Sequence, residues 1–295
     1  MKNQTKAYIY TFLTVMCWST VASAFKISLK YLTPIQLLLF SSVTSCLVLF
    51  IILVTQQKFK LLKTYTRSDF LHSAIAGFIN PFAYYIILFK AYSLIPAQIA
   101  QPVNCSWAIV LVLLSVPLLK QKISSHSIFA ILISFCGVII VSSKGNFHSF
   151  QTTNIFGVVL AFTSSILWAL YWILNMKDKR DEVAKLFLNF LFGSIYIIVI
   201  GLLTSNINLP DFKGLTGAVY VGIFEMGITF YFWLKALQLS ETTAKISNYI
   251  YFMPFISLFF IHIFIGEKIL FSSVMGLVFI TSGVILQEYF AQKNK

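Results

Sequence analysis

The chain has 295 residues, of which 58% are hydrophobic and 11% are charged, and its mean hydropathy is +0.85. A soluble domain carries about 25% charged residues, so this chain lacks the polar side chains needed to cover a water-facing surface. These values exclude a soluble protein and indicate an integral membrane protein. The net charge of +13 does not indicate a nucleic acid partner, because the basic residues are spread along short connections.

Ten apolar runs follow one another along the chain, each close to the length that a helix needs to cross a membrane. They are Ala7–Phe25, Pro34–Val54, Phe70–Phe89, Ala97–Leu119, Ser127–Ser143, Ile155–Met176, Ala184–Ser205, Leu215–Leu234, Ile246–Gly266 and Ile269–Phe290. Runs of this length without period-2 alternation predict helices rather than a β-barrel. The expected fold is therefore all-α, with ten transmembrane helices.

The first run also has features of a cleaved signal peptide, since Lys2 and Lys6 precede it and Ala22-Ser23-Ala24 ends it. Trp18 favours a retained helix, because the same residue recurs at Trp168 inside an internal helix. With the amino terminus in the cytoplasm, sixteen of the 22 Lys and Arg residues lie on the cytoplasmic side. This bias predicts that both termini are cytoplasmic, which requires an even number of helices.

The residue types that bind metals or perform catalysis give no site in this sequence. The four cysteines lie inside apolar runs without metal-ligand spacing, so we expect buried apolar side chains and no metal or cofactor. The phosphate-binding loop G-x-x-x-x-G-K-[ST], the zinc motif H-E-x-x-H and a serine nucleophile elbow are all missing from the sequence. The sequence therefore predicts a protein that is not an enzyme.

Two stretches about 145 residues apart match each other. Gly77 to Tyr92 aligns with Gly222 to Leu237, which pairs Gly77 with Gly222 and Asn80 with Glu225. The flanking segments fall into the same register, so residues 1–145 and 146–295 are predicted to be two five-helix halves of one membrane domain. Because five is odd, the second half enters the membrane from the opposite side, which is the inverted repeat of many secondary transporters.

Glu225 is the strongest functional candidate, because it is the acidic residue that lies deep inside an apolar run. A carboxyl group at membrane mid-depth costs a few kcal/mol and must meet a partner or water. It could carry a coupling proton or pair with a cationic substrate. The alternative is a structural role, as a protonated acid hydrogen-bonded to Asn80 or Asn248.

The other candidates for substrate binding or coupling are amides and aromatic residues in the predicted helices. They are Asn80, Asn104, Asn248, Gln101, Trp18, Trp107, Trp168, Tyr84 and Tyr251. Amides can bind a polar solute but also join helices, and aromatic rings can enclose a solute but also fill the core. Pro81, Pro102 and Pro254 are expected to interrupt helices, either at a binding site or as packing kinks.

Several short stretches carry the pattern of a known family. They are Trp18-Ser19, Lys90-Ala91-Tyr92-Ser93-Leu94, Gln98 to Trp107, Trp233 to Leu239, Ser247 to Pro254, Gly266-Glu267-Lys268 and Gly283-Val284-Ile285-Leu286. Over nearly its whole length the chain resembles the EamA-type family of the drug/metabolite transporter superfamily. It departs from the family pattern at Ala108, where relatives that export amino acids tend to have proline, and at Glu225, where many relatives have a small residue.

The resemblance implies a central cavity lined by helices 1, 3, 4, 6, 8 and 9, and transport of amino acids, other metabolites or drugs, mostly outward. We therefore expect a secondary transporter of a small polar metabolite, an amino acid or related organic solute, that works by alternating access in the inner membrane. Protons are a candidate coupling ion, membrane lipid surrounds the chain, and the protein is a monomer or a homodimer. The alternatives are a flippase for lipids or lipid-linked sugars and a structural membrane subunit.

Overall fold

The computed structural model describes residues 2–120, 125–144, 154–204, 210–240, 246 and 249–293. These residues form helices and connecting turns, with no strand among them. The α-helices are α1 (Lys2–Ser28), α2 (Pro34–Thr55), α3 (Arg67–Gly77), α4 (Tyr84–Leu94), α5 (Ala97–Cys105), α6 (Trp107–Leu119), α7 (Ser125–Ser142), α8 (Ile155–Lys177), α9 (Glu182–Leu203), α10 (Phe212–Val221), α11 (Ile228–Leu239), α12 (Met253–Ile265) and α13 (Phe271–Lys293).

Two π-helical segments join pairs of these helices into longer rods. Segment π1 (Phe78–Ala83) connects α3 to α4, and segment π2 (Gly222–Gly227) connects α10 to α11. A short 3₁₀ helix, Phe59–Thr64, precedes α3. A π turn adds one residue to a helical turn and occurs often at functional sites. Segment π1 contains Asn80, and segment π2 contains Glu225, the residue that the sequence pairs with it.

Seven helical stretches in the described part of the chain are long and apolar enough to cross a membrane. Three shorter apolar helices, Ile128–Ser142, Met253–Ile265 and Phe271–Leu286, accompany them. The prediction of an all-α membrane protein is confirmed. The count of ten transmembrane helices and the inverted repeat stay predictions.

The helix ends follow from local sequence. Thr33 caps α2, where its side chain accepts from the Gln36 amide while the Gln36 side chain accepts from the Thr33 amide. This reciprocal arrangement satisfies two backbone donors that the first turn leaves free. Thr66 and Asp69 form the same arrangement at the start of α3. The other caps include Asn154 at α8.

The three prolines interrupt helices in different ways. Asn80, just before Pro81, has an extended backbone with φ −145° and ψ 120°, as expected for a residue whose α conformation is disfavoured by the following proline ring. Pro102 lies inside α5, which ends three residues later at Cys105. Pro254 lies in the first turn of α12, after a turn at Tyr251 and Phe252, so the run that begins near Ile246 is not one continuous helix.

Glycines allow several pairs of helices to approach closely. A methyl group on Gly137 of α7 would lie 2.5 Å from the carbonyl oxygen of Gly276 in α13. In the same way, a methyl group on Gly77 would lie 2.3 Å from the Asn189 carbonyl oxygen in α9, and one on Gly222 would lie 2.5 Å from the Ser41 carbonyl oxygen in α2. Small residues at such contacts are the usual packing device of membrane helices, where water does not drive association.

The relative directions of the helices define two sides of the molecule. Thr20 of α1 hydrogen-bonds Tyr220 of α10 at 2.7 Å, and Ser28 at the end of α1 contacts Gly217, so α1 and the α10–α11 rod are antiparallel. Phe25 packs against Tyr92 at the end of α4, so α4 runs in the same direction as α1. We call the side where α1 begins the amino-terminal side, and the side where it ends the distal side.

Candidate functional site

A cavity of about 420 Å³ lies between the helices in the centre of the molecule. Its walls come from α1, α4, the α5–α6 pair, α8, the π2–α11 rod and the segment that leads into α12. These elements correspond to the helices that the family resemblance implied. The volume lies within the range of pockets that bind small organic molecules.

Glu225 lies in this cavity wall, in the middle of segment π2. Its side chain is only 6% exposed. The Tyr85 hydroxyl donates to Glu225 Oε1 at 3.0 Å, and the Trp18 indole Nε1 donates to the Glu225 carbonyl oxygen at 3.4 Å. The second carboxyl oxygen, Oε2, is buried and has no hydrogen-bond partner among the described residues. The site therefore contains one acidic group, one oxygen of which is buried without a partner among the described residues.

Asn80, which the sequence pairs with Glu225, is not part of the cavity wall. It is completely buried, and neither its amide nitrogen nor its amide oxygen has a partner in the described part of the chain. The following residue, Pro81, packs against Gly193 of α9, where a methyl group would lie 2.5 Å from the proline ring. The hydrogen bond from Asn80 to Glu225, one of the expected structural roles, is therefore not formed, and the Tyr85 hydroxyl donates to Glu225 instead.

Two of the predicted amides, Asn104 and Gln101, do line the cavity. Asn104 Nδ2 donates to Ser164 Oγ at 2.8 Å, and the Tyr84 hydroxyl donates to Asn104 Oδ1 at 3.4 Å. Gln101 Nε2 donates to Met253 Sδ at 3.2 Å, while its Oε1 accepts from the Ser257 hydroxyl. Both amides therefore join helices and also face the solute space. The fourth predicted amide, Asn248, lies outside the described residues.

The five aromatic residues chosen from sequence as site candidates lie in the cavity wall. These residues are Trp18, Trp107, Trp168, Tyr84 and Tyr251. Further members of the wall include Tyr92, Trp172 and Trp233. Trp172 follows Trp168 by one helical turn, so the spacing i, i+4 was a signal for it. Tyr85, the neighbour of Tyr84, does not line the cavity but donates its hydroxyl to Glu225 Oε1.

The distal end of the cavity is closed. Phe25 and Tyr92, each 2% exposed, pack against each other there. The ammonium group of Lys26 donates to the carbonyl oxygens of Tyr92 and Ile95 at 2.7 and 2.8 Å, which holds the end of α4 against α1. The closed end is therefore built from a ring contact and a lysine that binds backbone oxygens.

A second set of hydrogen bonds continues this closure between α5 and the loop after α12. The Glu267 carboxylate accepts from the backbone amides of Ala97 and Gln98 at 3.0 and 3.2 Å. A carboxylate is favoured at a helix start, where backbone amides are free. Gln98 itself donates to the Lys268 carbonyl oxygen and accepts from Leu270, so it belongs to the closure rather than to the cavity wall.

The cavity opens towards the amino-terminal side. In that direction its wall ends at Leu237 and Trp172, which are partly exposed, and at Met176, which is 57% exposed. The sequence alignment that pairs Trp18 with Trp168 also pairs Lys26 with Met176. The lysine that closes the distal end thus has an apolar counterpart at the open end.

A network of charged residues lies at the amino-terminal side, outside the cavity. Arg180 contacts Asp178 at 2.6 Å and donates to the Asp69 carbonyl oxygen at 2.6 Å, and Lys58 contacts Asp181 at 2.6 Å. Burial opposes the charge of Arg180, but hydrogen bonds and the charge of Asp178 outweigh it and raise the pKa of Arg180. A second cavity of about 620 Å³ lies beside this network.

The cavity does not have the ligand set of a metal centre. No group of three or more His, Cys, Asp or Glu residues is close enough to hold an ion in the part of the chain that the structure describes. Cys105 in the cavity wall is a free thiol. The available chemistry is one carboxyl group, two amides and a largely aromatic surface, which can bind a solute by charge, hydrogen bonds and ring contacts.

The comparisons with known proteins agree with this geometry. The EamA-like transporter family model matches residues 5–143 and 155–287. The chain belongs to the EamA-like transporter family. This family is part of the drug/metabolite transporter superfamily, so the protein is a membrane transporter and not an enzyme.

Several relatives match this EamA-like transporter over nearly its whole length. An uncharacterized transporter of Archaeoglobus fulgidus is 25% identical, covering 95% of this chain and 96% of its own. An uncharacterized transporter of Clostridium kluyveri is also 25% identical, covering 95% and 92%. The transporter YvbV of Bacillus subtilis is 23% identical, covering 95% and 90%. A crystal structure with a TM-score of 0.70 and 16% identity covers 99% of both chains and shows the same fold.

Proposed function

We propose that this transporter moves a small organic solute through the central cavity by alternating access, as a secondary transporter. The observation that carries the proposal is the cavity, which is closed at Phe25 and Tyr92 and open towards Met176. A solute that enters from the amino-terminal side reaches Glu225 before it meets the closed end. Release on the distal side then requires that the Lys26 and Glu267 contacts separate while the amino-terminal side closes.

We infer that the solute is a small polar metabolite, an amino acid or a related organic molecule, and that transport runs as export. Sixteen of the 22 Lys and Arg residues fall on the side predicted to be cytoplasmic, which supports cytoplasmic termini and a bacterial inner membrane. With that orientation the described state is open to the cytoplasm, as an exporter must be when it loads its solute. The family resemblance supports the same direction.

The proposed division into halves at residues 145 and 146 is supported by the two separate stretches that match the family model. The cavity is formed within one chain, which supports a monomer as the functional unit, with a homodimer as the alternative. Glu225 is the candidate site for proton coupling. A facilitator without coupling is the alternative that the experiment below separates.

A lipid or lipid-linked-sugar flippase receives less support from the site. A phosphate group requires basic partners, and none of the described residues that line the cavity is Lys or Arg. A structural subunit without transport would not need an open cavity with a free carboxyl oxygen. We therefore favour transport of a small solute.

The test is uptake and efflux in proteoliposomes with a panel of amino acids, amines and other metabolites, with and without an imposed pH gradient. Wild type is compared with Glu225→Gln, which preserves shape and removes the ionisable group. Movement that follows the gradient in wild type, and not in Glu225→Gln, supports proton coupling at Glu225. Movement that ignores both the gradient and the substitution supports a facilitator. If no panel member moves while lipid probes are scrambled, the result contradicts transport of a small solute and favours a lipid flippase.

A further inference from the structure

The wall of the central cavity contains an acidic residue but no basic residue among those that the structure describes. Twenty residues line it, and Glu225 is the one acidic residue among them, while none is Lys, Arg or His. All twenty of these residues belong to the part of the chain that the structure describes. Lys26 lies near the distal end, but its ammonium group already binds the Tyr92 and Ile95 carbonyl oxygens. The wall therefore presents a carboxyl group without a basic partner.

The contacts of Glu225 leave a defined place for a ligand. One carboxyl oxygen, Oε1, accepts from the Tyr85 hydroxyl. The other, Oε2, is buried in the wall without a partner among the described residues, and no described salt bridge includes Glu225. Buried polar atoms in native proteins are rarely left without a hydrogen bond. A positively charged group in the cavity would supply the missing partner.

The rings around this carboxyl group are of the kind that stabilises cations. The chain has five tryptophans, and all of them, Trp18, Trp107, Trp168, Trp172 and Trp233, line the cavity. Tryptophan in membrane proteins usually lies at the two interfaces with water, so its concentration around a central cavity is unusual. The tryptophan face gives the strongest cation–π attraction among the side chains.

Three donor groups in the cavity wall already donate a hydrogen bond to the protein. Asn104 Nδ2 is directed to Ser164, Gln101 Nε2 to Met253 and Trp18 Nε1 to the Glu225 carbonyl oxygen. A zwitterionic amino acid would place its own carboxylate in an aromatic cavity without a basic residue from the described part of the wall. A carboxylate in such surroundings requires a positive partner to offset its lost hydration.

We propose that the transported solute is an organic cation, with one positive charge on an apolar body, and that Glu225 is its counter-ion within the tryptophan-lined cavity. This inference rests on the proposed transport function and narrows its solute class. Within the amino acids and related molecules considered above, it favours amines that lack a free carboxylate. The cationic group pairs with the Glu225 carboxylate, and the apolar body contacts the tryptophan rings.

The test measures binding of three ligands with the same ring to purified full-length protein in detergent micelles, by calorimetry. Phenethylamine is the cation, phenylalanine the zwitterion and 3-phenylpropionate the anion. We expect wild type to bind phenethylamine at least tenfold more tightly than the other two. A quaternary analogue, phenethyltrimethylammonium, should retain most of the affinity, because cation–π attraction does not need an N–H donor.

The variant Glu225→Gln should reduce affinity for both cations at least tenfold. The matched control is Asp211→Asn, which removes one negative charge from an exposed helix cap on the distal side. Asparagine caps helices equally well. The ligand affinities of this variant should equal those of wild type. If Glu225→Gln does not fold, the comparison of the three ligands on wild type still tests whether the cavity prefers a cation. Equal or tighter binding of phenylalanine or 3-phenylpropionate, or no cation binding at millimolar concentration, overturns the inference.

Transport in proteoliposomes separates this inference from the proposed function. If a zwitterion or neutral solute moves and cations neither move nor compete, transport stands and the cation inference fails. If cations bind with the expected preference but neither they nor other solutes move, the solute class stands and the transport proposal fails. Movement of phenethylamine that phenethyltrimethylammonium inhibits supports both.

Discussion

Segments π1 and π2 occupy positions that the sequence pairs, and both interrupt a long rod with a π turn, yet they differ in their relation to the cavity. Glu225 of π2 lies in the cavity wall, whereas Asn80 of π1 is fully buried outside it. Pro81 forces the backbone of Asn80 into an extended conformation, and π2 contains no proline. The same helical irregularity thus packs against α9 in one segment and borders the cavity in the other.

The glycines around the two segments explain how each is held. Gly77, just before π1, contacts the backbone of α9, and Gly193 of α9 in turn contacts Pro81. Gly222, the first residue of π2, contacts the Ser41 carbonyl oxygen of α2. Each π segment is therefore fixed from behind by a close contact with a neighbouring helix. The two segments therefore differ in the polar residue and in the proline, and not in this kind of support.

The largest difference in effect should be between substitutions of the two matched polar residues. Glu225→Leu should abolish measurable binding of the preferred solute. Loss of a charge-assisted contact costs about 1.5–3 kcal/mol, which is roughly ten- to a hundredfold in affinity, and the leucine side chain also occupies the site. Asn80→Leu should leave affinity within about twofold, because Asn80 does not line the cavity. Binding calorimetry on both variants checks this prediction.

Asn80→Leu also tests the energetic difference between the segments. Both polar atoms of Asn80 are buried without a described partner, and such groups cost about 1–3 kcal/mol each. The variant should therefore have a higher midpoint of thermal unfolding than wild type. A large loss of transport in Asn80→Leu, with the protein still folded, would contradict the distinction between the two segments.

The supports of the two segments should be equally sensitive. Gly77→Val and Gly222→Val each place side-chain atoms into a neighbouring backbone, and overpacking of this kind costs about 1–3 kcal/mol. We expect both variants to unfold at lower temperature, by a similar amount. Gly266→Asn is the control, because Gly266 has φ +78° and no atom within 4 Å of an added Cβ, and asparagine tolerates this conformation. Unequal losses would show that only one segment depends on its glycine.

The closed distal end can be compared with the open end by Lys26→Met, which introduces the residue found at the paired position, Met176. The variant loses the hydrogen bonds to Tyr92 and Ile95, so the distal end should open more often. In a background without the native cysteines, a cysteine at Leu88 of the cavity wall should react several-fold faster with a reagent added on the distal side. Lys30→Met is the control, and equal rates in both variants would exclude Lys26 from the closure.

The smallest effect should follow Tyr85→Phe. This change removes one hydrogen bond to Glu225 Oε1. A buried hydrogen bond to a charged group contributes about 1.5–3 kcal/mol. Part of this free energy is regained when a ligand or water binds the freed oxygen. We expect solute affinity to change by about three- to tenfold. Tyr171→Phe, which affects a buried tyrosine bonded to Asn189 outside the cavity wall, should leave affinity unchanged. Identical affinities in both variants would show that Tyr85 does not position the carboxyl group.

Much of the site could be predicted from residue types together with the family resemblance. We expected Trp18, Trp107 and Trp168 at the cavity because the family resemblance implies that their helices line it. All three line the cavity in the structure. Gln98, by contrast, shares a helix side with Gln101 in sequence but caps the distal closure. Gln98 lies one turn before Gln101 in α5, and this distance places it against the loop after α12 instead of in the cavity wall. The functional importance of these residues stays a prediction until the variants are measured.

Hydropathy and run length by themselves determined that this protein is an all-α membrane protein, because every spanning backbone must satisfy its hydrogen bonds within a helix. The isolated acid at Glu225 was likewise visible as an expensive group in an apolar run. Only the tertiary structure decided that Asn80 lies outside the cavity, that Tyr85 is the partner of Glu225 and that the distal end is the closed one. These outcomes depend on how each helix is rotated, which is set by contacts such as Gly222 with Ser41 and Gly193 with Pro81, between residues far apart in the chain.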